Sequence, residues 1–314
     1  GEGSSEANLR SQAPSSTNTY ILVVEVSEKW LNDPKRKYPI IIDPTVVHDA
    51  QSEFAGQTNR VTDVGTGETD PKLTINYQEI APDQHTVGLW HFNEGTENTC
   101  DGGEDVCDAS GNGNDGTFNN GAAFTTDSKL GDYAVEFDGT DDYISVSGSN
   151  IPDITDHFTA EAWFYIPTDT SSDGLLIGRD NNSTSQRQFN VIWKSDGTIT
   201  FHTMHCDVSG PVSLSGSLIA PKGQWNHVAV LYENRGENSS KMQIFVNGQL
   251  DPNESNVADD LCDVSVDLNF GRRQASGYET YLDGLIDEVA IYNRALTPEE
   301  IKAHAQRRPY ATYT

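Results

Sequence analysis

Acidic side chains dominate the places where this chain could bind a cation or cut a bond. Asp138, Asp141 and Asp142 fall within the string DGTDD. Like charges so close repel unless water screens them or a cation bridges them. Asp108, Ser110 and Asn112 alternate in DASGNG, the opening of a D-x-[DNS]-x-[DNS]-G calcium loop in which Gly113 permits the turn. Loop position twelve, where a bidentate Glu would close the shell, holds Asn119. The competing reading is an Asn/Gly turn fixed by side-chain-to-backbone hydrogen bonds. Asp287 lies in LIDEVAI, where strict alternation groups it with Leu285, Val289 and Ile291, and groups Glu288 with Ile286 and Ala290. Whichever face turns inward, one carboxylate goes with it, and a buried unpaired carboxylate demands hydrogen bonds or a cation. Calcium meets that demand, because it takes roughly six to eight oxygens from carboxylates, carbonyls and water. Bond cutting has weaker support. Glu136 and Asp138 could share a strand face, as a glycosidic pair must, but Gly139 interrupts the strand before the next acid, Asp141. No Ser elbow or HExxH string occurs, and the eight histidines show no metal spacing. His202 and His205 read as strand or surface residues. The expectation is a protein that is not an enzyme.

Composition narrows the partners. With 48 acidic against 20 basic residues, the net charge of -28 argues against nucleic acid and anionic membrane surfaces. It fits divalent cations, a salty medium or plain solubility. No stretch approaches the roughly 18 apolar residues of a membrane-spanning helix. Four cysteines, Cys100, Cys107, Cys206 and Cys262, allow three pairings. The favoured set is Cys100–Cys107, closing a short polar loop, with Cys206–Cys262, joining two strand-like segments. Zinc is disfavoured because no CxxC pair exists. Disulfides imply an oxidising compartment, so the expected location is extracellular or at the cell surface. Asn181, Asn182, Asn238 and Asn253 each head an N-x-S/T sequon, a glycosylation acceptor in a secreted chain. The chain starts without Met or signal peptide and reads as a processed piece of a longer secreted polypeptide.

The elements that must position these residues are mostly strands. Residues 1–18 are polar and small and read as an arm or linker. Residues 19–80 read as a β-rich N-terminal segment. It holds YILVVEVS (20–27), YPIIIDPTVV (38–47) with prolines suited to an edge strand, and KLTINYQEI (72–80). From 86 to 304, eleven segments alternate with period two. They are VGLWHF, YAVEF, DYISV, FTAEAWFYI, GLLIG, FNVIW, TITFHTM, NHVAVLYE, KMQIFVNGQL, VDLNFG and LIDEVAIYN. Short strands with no helix between them predict an all-β, antiparallel two-sheet sandwich. Asn247-Gly248 supplies the positive-φ pair of a tight hairpin. Thr297, Pro298 and Glu300 mark the cap, first turn and capping box of one short C-terminal helix reaching about His304. Residues 305–314 read as a tail.

Seven motifs then line up in one order: GLWHFNEG (88–95), DASGNGNDGTF (108–118), VEFDGTDDYISV (135–146), FTAEAWFYI (158–166), WNHVAVLYE (225–233), IFVNGQL (244–250) and GLIDEVAIYNRALTPEEI (284–301). In this the chain resembles laminin-G-like (LamG) domains of the concanavalin A-like lectin/glucanase superfamily, over residues 86–304. The resemblance implies a jelly-roll sandwich, often calcium-loaded, in secreted proteins that bind glycans or other proteins. It implies a calcium joining Asp287 to the turn after the first strand, at Asn93, Glu94 and Gly95. YPIIIDPTV resembles segments that precede such modules in large microbial surface proteins. Glycosidases of that superfamily present E-x-D-x-x-E. Here Asp141 stands in the final position, and the string coincides with the FDGxDDY turn of non-catalytic relatives.

Trp90, Trp163 and Trp225 sit inside the resembled motifs and read as core residues. Trp193 lies outside them, as do Tyr278 and Tyr281 in GYETYLDG (277–284), and these three are candidates for stacking on a sugar. The expected function is a non-catalytic binding or adhesion module for a glycan or an extracellular protein, stabilised by calcium. A second reading is a structural subunit of an extracellular filament or sheath. Copies of the chain would then assemble by donating strand 20–27 or 38–43 to a neighbour's sheet. A third is an accessory carbohydrate-binding domain of a carbohydrate-active enzyme.

Overall fold

The computed structural model describes the backbone of residues 8–12, 21–25, 73–77 and 309–313. It also describes residues 80–307, apart from 150, 152–153, 182–186, 206–209, 236–239, 258–260, 263 and 275–278. Two compact units separate, Gly1–Gln78 with Arg308–Thr314, and Glu79–Arg307. In the first, Asn8–Gln12 pairs antiparallel with Ile21–Glu25, and Leu73–Tyr77 pairs antiparallel with Pro309–Tyr313. Both pairings revise the sequence reading, because they place strands in the expected arm and tail. NLRSQ carries a single apolar residue, so no period-two signal marks it; its backbone pairs with an apolar partner instead. The segment 38–47 lies outside the described residues.

The second unit is a sandwich. One sheet has seven strands, in the spatial order Pro211–Ser215, Ile199–Met204, Arg187–Trp193, Gly174–Asp180, Leu268–Phe270, Tyr143–Val146 and Gly116–Asn119. The other has nine. Gln249–Leu250, Ser240–Val246, Trp225–Glu233, His157–Tyr165, Asp283–Tyr292, Ala134–Asp138 and Ala123–Thr125 run in line; Ser255–Val257 pairs with the second of these and Thr86–Trp90 with the fifth. All pairings are antiparallel. All eleven expected segments form strands. Asn247 and Gly248 take φ 53° and 76° at the hairpin turn, as the Asn-Gly pair requires.

Alternation explains how the core fills. In His157–Tyr165, Phe158, Ala160, Ala162 and Phe164 enter the main cluster between the sheets. Thr159, Glu161 and Trp163 turn the other way. From the facing sheet come Phe189, Val191, Trp193, Phe201 and Phe270. Each large apolar side chain removed from water contributes about 1.5–3 kcal/mol. A second, smaller cluster covers the outer face of the nine-stranded sheet. There Leu296 and Ile301 of the helical segment pack on Leu89, Ala229, Leu231, Phe245 and Tyr292. The helix Pro298–Ala305 starts as its sequence predicts, with Thr297 and Glu300 forming a capping box.

Candidate functional site

The strand Asp283–Tyr292 carries its two adjacent acids at a bulge. Asp287 pairs with Trp163 and Ala290 with Glu161, so Glu288 and Val289 fall opposite the single residue Ala162. Glu288 takes φ 51°, a left-handed conformation that is unfavourable for a long side chain. The extra residue resets the alternation. Ile286, Val289 and Ile291 all join the sandwich core, while Ala290 and Tyr292 belong to the outer cluster. Strict alternation, which assigned one carboxylate to the inward set, is corrected by that odd residue. Both acids are nonetheless buried, Asp287 at 0% and Glu288 at 1% exposure.

One loop joins the first strand's turn to this bulge. Asp287 Oδ2 accepts the backbone N–H groups of Lys129 (2.8 Å) and Leu130 (2.9 Å). Asn93 Oδ1 accepts those of Asp132 (2.8 Å) and Tyr133 (3.3 Å). Asn93 and Asp287 thus grip residues 129–133 together. Gly131 sits between, at φ 69°, where a Cβ would lie 2.0 Å from Asn93 Oδ1. Gly95 takes φ 67°, and a Cβ there would strike the Tyr133 ring at 2.4 Å. Asp287 Oδ1 is buried with no hydrogen-bond partner. Burial, and then the charge of Glu288, push the Asp287 carboxyl well above the usual range. Glu94 behaves similarly. Its Oε1 accepts from the Cys107 amide at 3.2 Å, its Oε2 is buried without a partner, and burial raises its pKa. For an oxygen-seeking cation such as calcium, Asp287 and Glu94 each offer an uncommitted carboxylate oxygen. The Asn93 oxygen is already engaged by two amides.

Asp108 and Asn112, two of the other expected metal ligands, bond backbone groups of their own turn or of the neighbouring first strand. Asp108 Oδ1 accepts from Leu89 N (3.0 Å) and Ser110 N (2.9 Å), and its Oδ2 from Ser110 Oγ (2.7 Å) and Asn114 N (3.0 Å). Asn112 donates through Nδ2 to the Thr86 carbonyl at 2.8 Å. Such bonds are those of a self-bonded Asn/Gly turn. Oxygens of Asp138, Asp141 and Asp142 lie within 4.8 Å of one another, with Asp138 and Asp141 exposed. Asp142 bonds the amides of Gly121 (2.6 Å) and Asp138 (2.9 Å).

Among the stacking candidates, Trp193 is corrected. It is 0% exposed and donates Nε1–H to the Ala220 carbonyl at 3.2 Å, so its rings serve the core. Tyr281 is half-buried in a short ladder with Arg272, and Tyr278 lies outside the described residues. Trp90 and Trp163 are buried, whereas Trp225 is partly exposed. Cys100 and Cys107 form a disulfide. Cys262 is also disulfide-bonded, and Cys206 lies outside the described residues. Of the sequon residues, Asn253 is exposed and Asn181 half-buried; Asn182 and Asn238 lie outside.

Two polar clusters escaped the sequence reading. On the outer face of the nine-stranded sheet, Glu161 Oε1 accepts from Tyr292 OH (3.0 Å) and contacts His304 Nδ1 (2.7 Å). Its Oε2 lies 3.3 Å from His227 Nε2. Beside it, Glu288 meets His91 Nδ1 at 2.8 Å and Arg307 Nη1 at 3.4 Å. Burial alone would raise the Glu161 carboxyl; contacts from His227 and His304 outweigh it and hold the group far below its usual range. Burial likewise lowers the His227 pKa, so near pH 7 that ring lies neutral beside Glu161. The second cluster, Arg187, Asn190, His202 and Arg273, lines a pocket on the seven-stranded sheet. There burial, with Arg273 and Lys194 nearby, lowers the His202 pKa to about 4.

Comparisons with known proteins agree with this architecture. Domain 4 of AbnA, a GH43 extracellular arabinanase from Geobacillus stearothermophilus solved with arabinotriose, superposes with a TM-score of 0.51 at 19% identity, covering 71% of this chain and 98% of that domain. The receptor-binding domain of botulinum neurotoxin C/D mosaic serotype gives 0.52 at 13% identity, covering 71% of this chain and 51% of its own. The botulinum neurotoxin serotype D ligand-binding domain, solved with N-acetylneuraminic acid, gives 0.52 at 13%, covering 71% and 50%. The chain therefore spans about half of each toxin domain. No curated protein matches the sequence. A family profile described as the concanavalin A-like lectin/glucanases superfamily matches residues 138–302, just over half of the 314 residues. With that match and its two facing antiparallel sheets, the chain belongs to the concanavalin A-like lectin/glucanases superfamily.

Proposed function

We propose that this chain is a non-catalytic, extracellular glycan-binding module stabilised by calcium. The observation that carries the binding reading is the pocket with unpartnered polar atoms on the outer face of the seven-stranded sheet, in a fold whose neighbours include domains solved with arabinotriose and with N-acetylneuraminic acid. The non-catalytic reading is supported at Glu136 and Asp138, whose side chains are both exposed and which Gly139, turning the chain at φ 76°, separates from Asp141. Bound calcium would supply positive charge to the buried Asp287 carboxylate, and Glu94 is the second acid with an oxygen to spare. An array of neutral and acidic glycans, probed with the full chain in calcium and in EDTA, tests the reading. Saturable binding to at least one glycan class is expected. Its absence in both conditions sinks the proposal.

A second reading keeps the same chemistry: the module is an accessory domain of a carbohydrate-active enzyme. It is favoured by the arabinanase domain, which matches over nearly its whole length. The filament reading, by donation of strand 20–27 or 38–43, is less favoured for the first of these, because Ile21–Glu25 pairs with Asn8–Gln12 of the same chain; 38–43 lies outside the described residues.

A further inference from the structure

Sheet register builds a pocket with a distinct chemical character. Gly178 pairs with Asn190, and Asn190 with His202, so the three stand in line across neighbouring strands. Phe189, Val191 and Phe201 occupy the alternate positions and point into the core. The outward row is therefore free to be polar. Gly178 leaves a notch that Asn190 leans over: a Cβ at 178 would lie 2.2 Å from Asn190 Oδ1. Asn190 is only 4% exposed. Its Nδ2 donates to Asp180 Oδ2 at 2.8 Å, but its Oδ1 has no partner, and neither has His202 Nδ1. Buried polar atoms are almost always bonded, and these two orphans belong to side chains that line one pocket.

The charges around the pocket run against the rest of the chain. Arg187 and Arg273 line it, and so do the apolar Met204 and Pro211. Arg273 Nε stands 3.9 Å from Asp180 Oδ2, and Arg187 donates from Nε to the Asn181 carbonyl at 3.3 Å. The two charged side chains among those that line the pocket are thus both guanidinium groups, in a protein of net charge -28. Guanidinium forks match planar carboxylates. An acceptor oxygen and an imidazole nitrogen suit hydroxyl groups. Met204 and Pro211 suit the C–H face of a ring. We propose that this pocket binds the carboxylate-bearing sugar of an acidic glycan, with Arg187 and Arg273 on the carboxylate and Asn190 and His202 on neighbouring hydroxyls.

This inference rests on the glycan-binding reading and narrows it. The test is calorimetric titration of the full chain with oligogalacturonate and oligoglucuronate. Each is set beside its methyl ester, which keeps the hydroxyls and loses the charge, and a panel of neutral oligosaccharides is titrated in parallel. The acids should bind at least tenfold more tightly than their esters. Arg187→Gln and Arg273→Gln, made separately so that one misfolded variant leaves the other informative, should each remove tenfold or more of that affinity with the melting temperature held. Equal affinity for acid and ester, unchanged acid binding in both folded variants, or binding of neutral sugars alone overturns the acidic pocket and leaves the glycan reading standing. Binding of no glycan overturns both.

Discussion

The two outer faces of the sandwich treat buried polarity in opposite ways. On the nine-stranded sheet, Glu161 and Glu288 are surrounded by His91, His227, His304, Tyr292 and Arg307, under a helical segment anchored by Leu296 and Ile301. On the seven-stranded sheet, Asn190 and His202 line an open pocket with atoms left unpartnered. The first face pairs its charged groups with counterparts within the chain, although Glu161 Oε2 and His227 Nδ1 lack hydrogen bonds there as well. The second leaves its partners to be supplied from outside. Missing hydrogen-bond partners occur on both faces, so what separates them is the pairing of charges under the helical segment on one and the open pocket on the other.

The comparison breaks hardest at Glu161. Truncating one member of a buried ionic cluster strands the others, at a cost of about 3–5 kcal/mol. Glu161→Ala should therefore lower the urea unfolding free energy by that amount without changing ligand affinity. A loss below about 1 kcal/mol would show that this face is no more committed than the other. Acid should attack the same cluster. His227 has a folded pKa depressed below its ordinary 6.5, so its contribution is present above that pH and is lost as pH falls through the folded value. Glu161 is depressed below 4.5, so its contribution is lost only at still lower pH. Stability should fall in two stages from pH 7 to pH 3, and Glu161→Gln should remove the lower one. A profile that stays level from pH 7 to pH 5 would contradict the assignment of His227 as a buried, neutral ring.

Asp287 sits between the two kinds of face, because one oxygen is bonded and the other has no partner. Calcium at a hundred times its Kd should raise stability by about 2.7 kcal/mol, and Asp287→Asn should abolish that gain. Thermal unfolding in calcium and in EDTA reads both. With the metal chelated, the raised Asp287 pKa has the opposite sign to Glu161: its stabilising contribution is full below pH 3.8 and disappears as pH rises through the folded value. An equal calcium shift in Asp287→Asn would move the ion elsewhere in the chain.

Period-two alternation made the sandwich readable, because each of eleven segments separates an inward from an outward set. The Asn247-Gly248 hairpin and the Thr297 cap were readable for the same reason, since local chemistry dictates local geometry. The bulge was not. Nothing in LIDEVAI announces that Glu288 will adopt a positive φ, because pairing on both flanks of the strand imposes it. Nor could sequence join Glu161 to His304, which meet only when the helix lies on the sheet. A signal was nevertheless present. In FTAEAWFYI and NHVAVLYE, a lone Glu161 and a lone His227 occupy outward positions among apolar neighbours, and polar residues there must find partners. Asn190 and His202 gave the same hint on the other sheet, but only the register, with Gly178 beside them, turned it into a pocket.

The finest test of the contrast is His202→Leu. In a closed network such a change would strand a partner and destabilise the fold. Here Nδ1 has none, and the ring is held neutral near pH 7, with its pKa lowered to about 4 chiefly by burial. Desolvating a polar atom without a hydrogen bond costs about 1–3 kcal/mol when burial is complete. His202 is only partly buried, so an apolar side chain of similar size should recover a smaller amount, about 0.5–1 kcal/mol of added stability. The same substitution should weaken binding of an acidic glycan, because one hydroxyl contact is lost. Stability rising while affinity falls is what a site held open for a ligand requires. If His202→Leu instead lowered stability by more than about 1 kcal/mol, the imidazole would have to be bonded within the folded protein. The two outer faces would then differ in degree of cover, not in purpose.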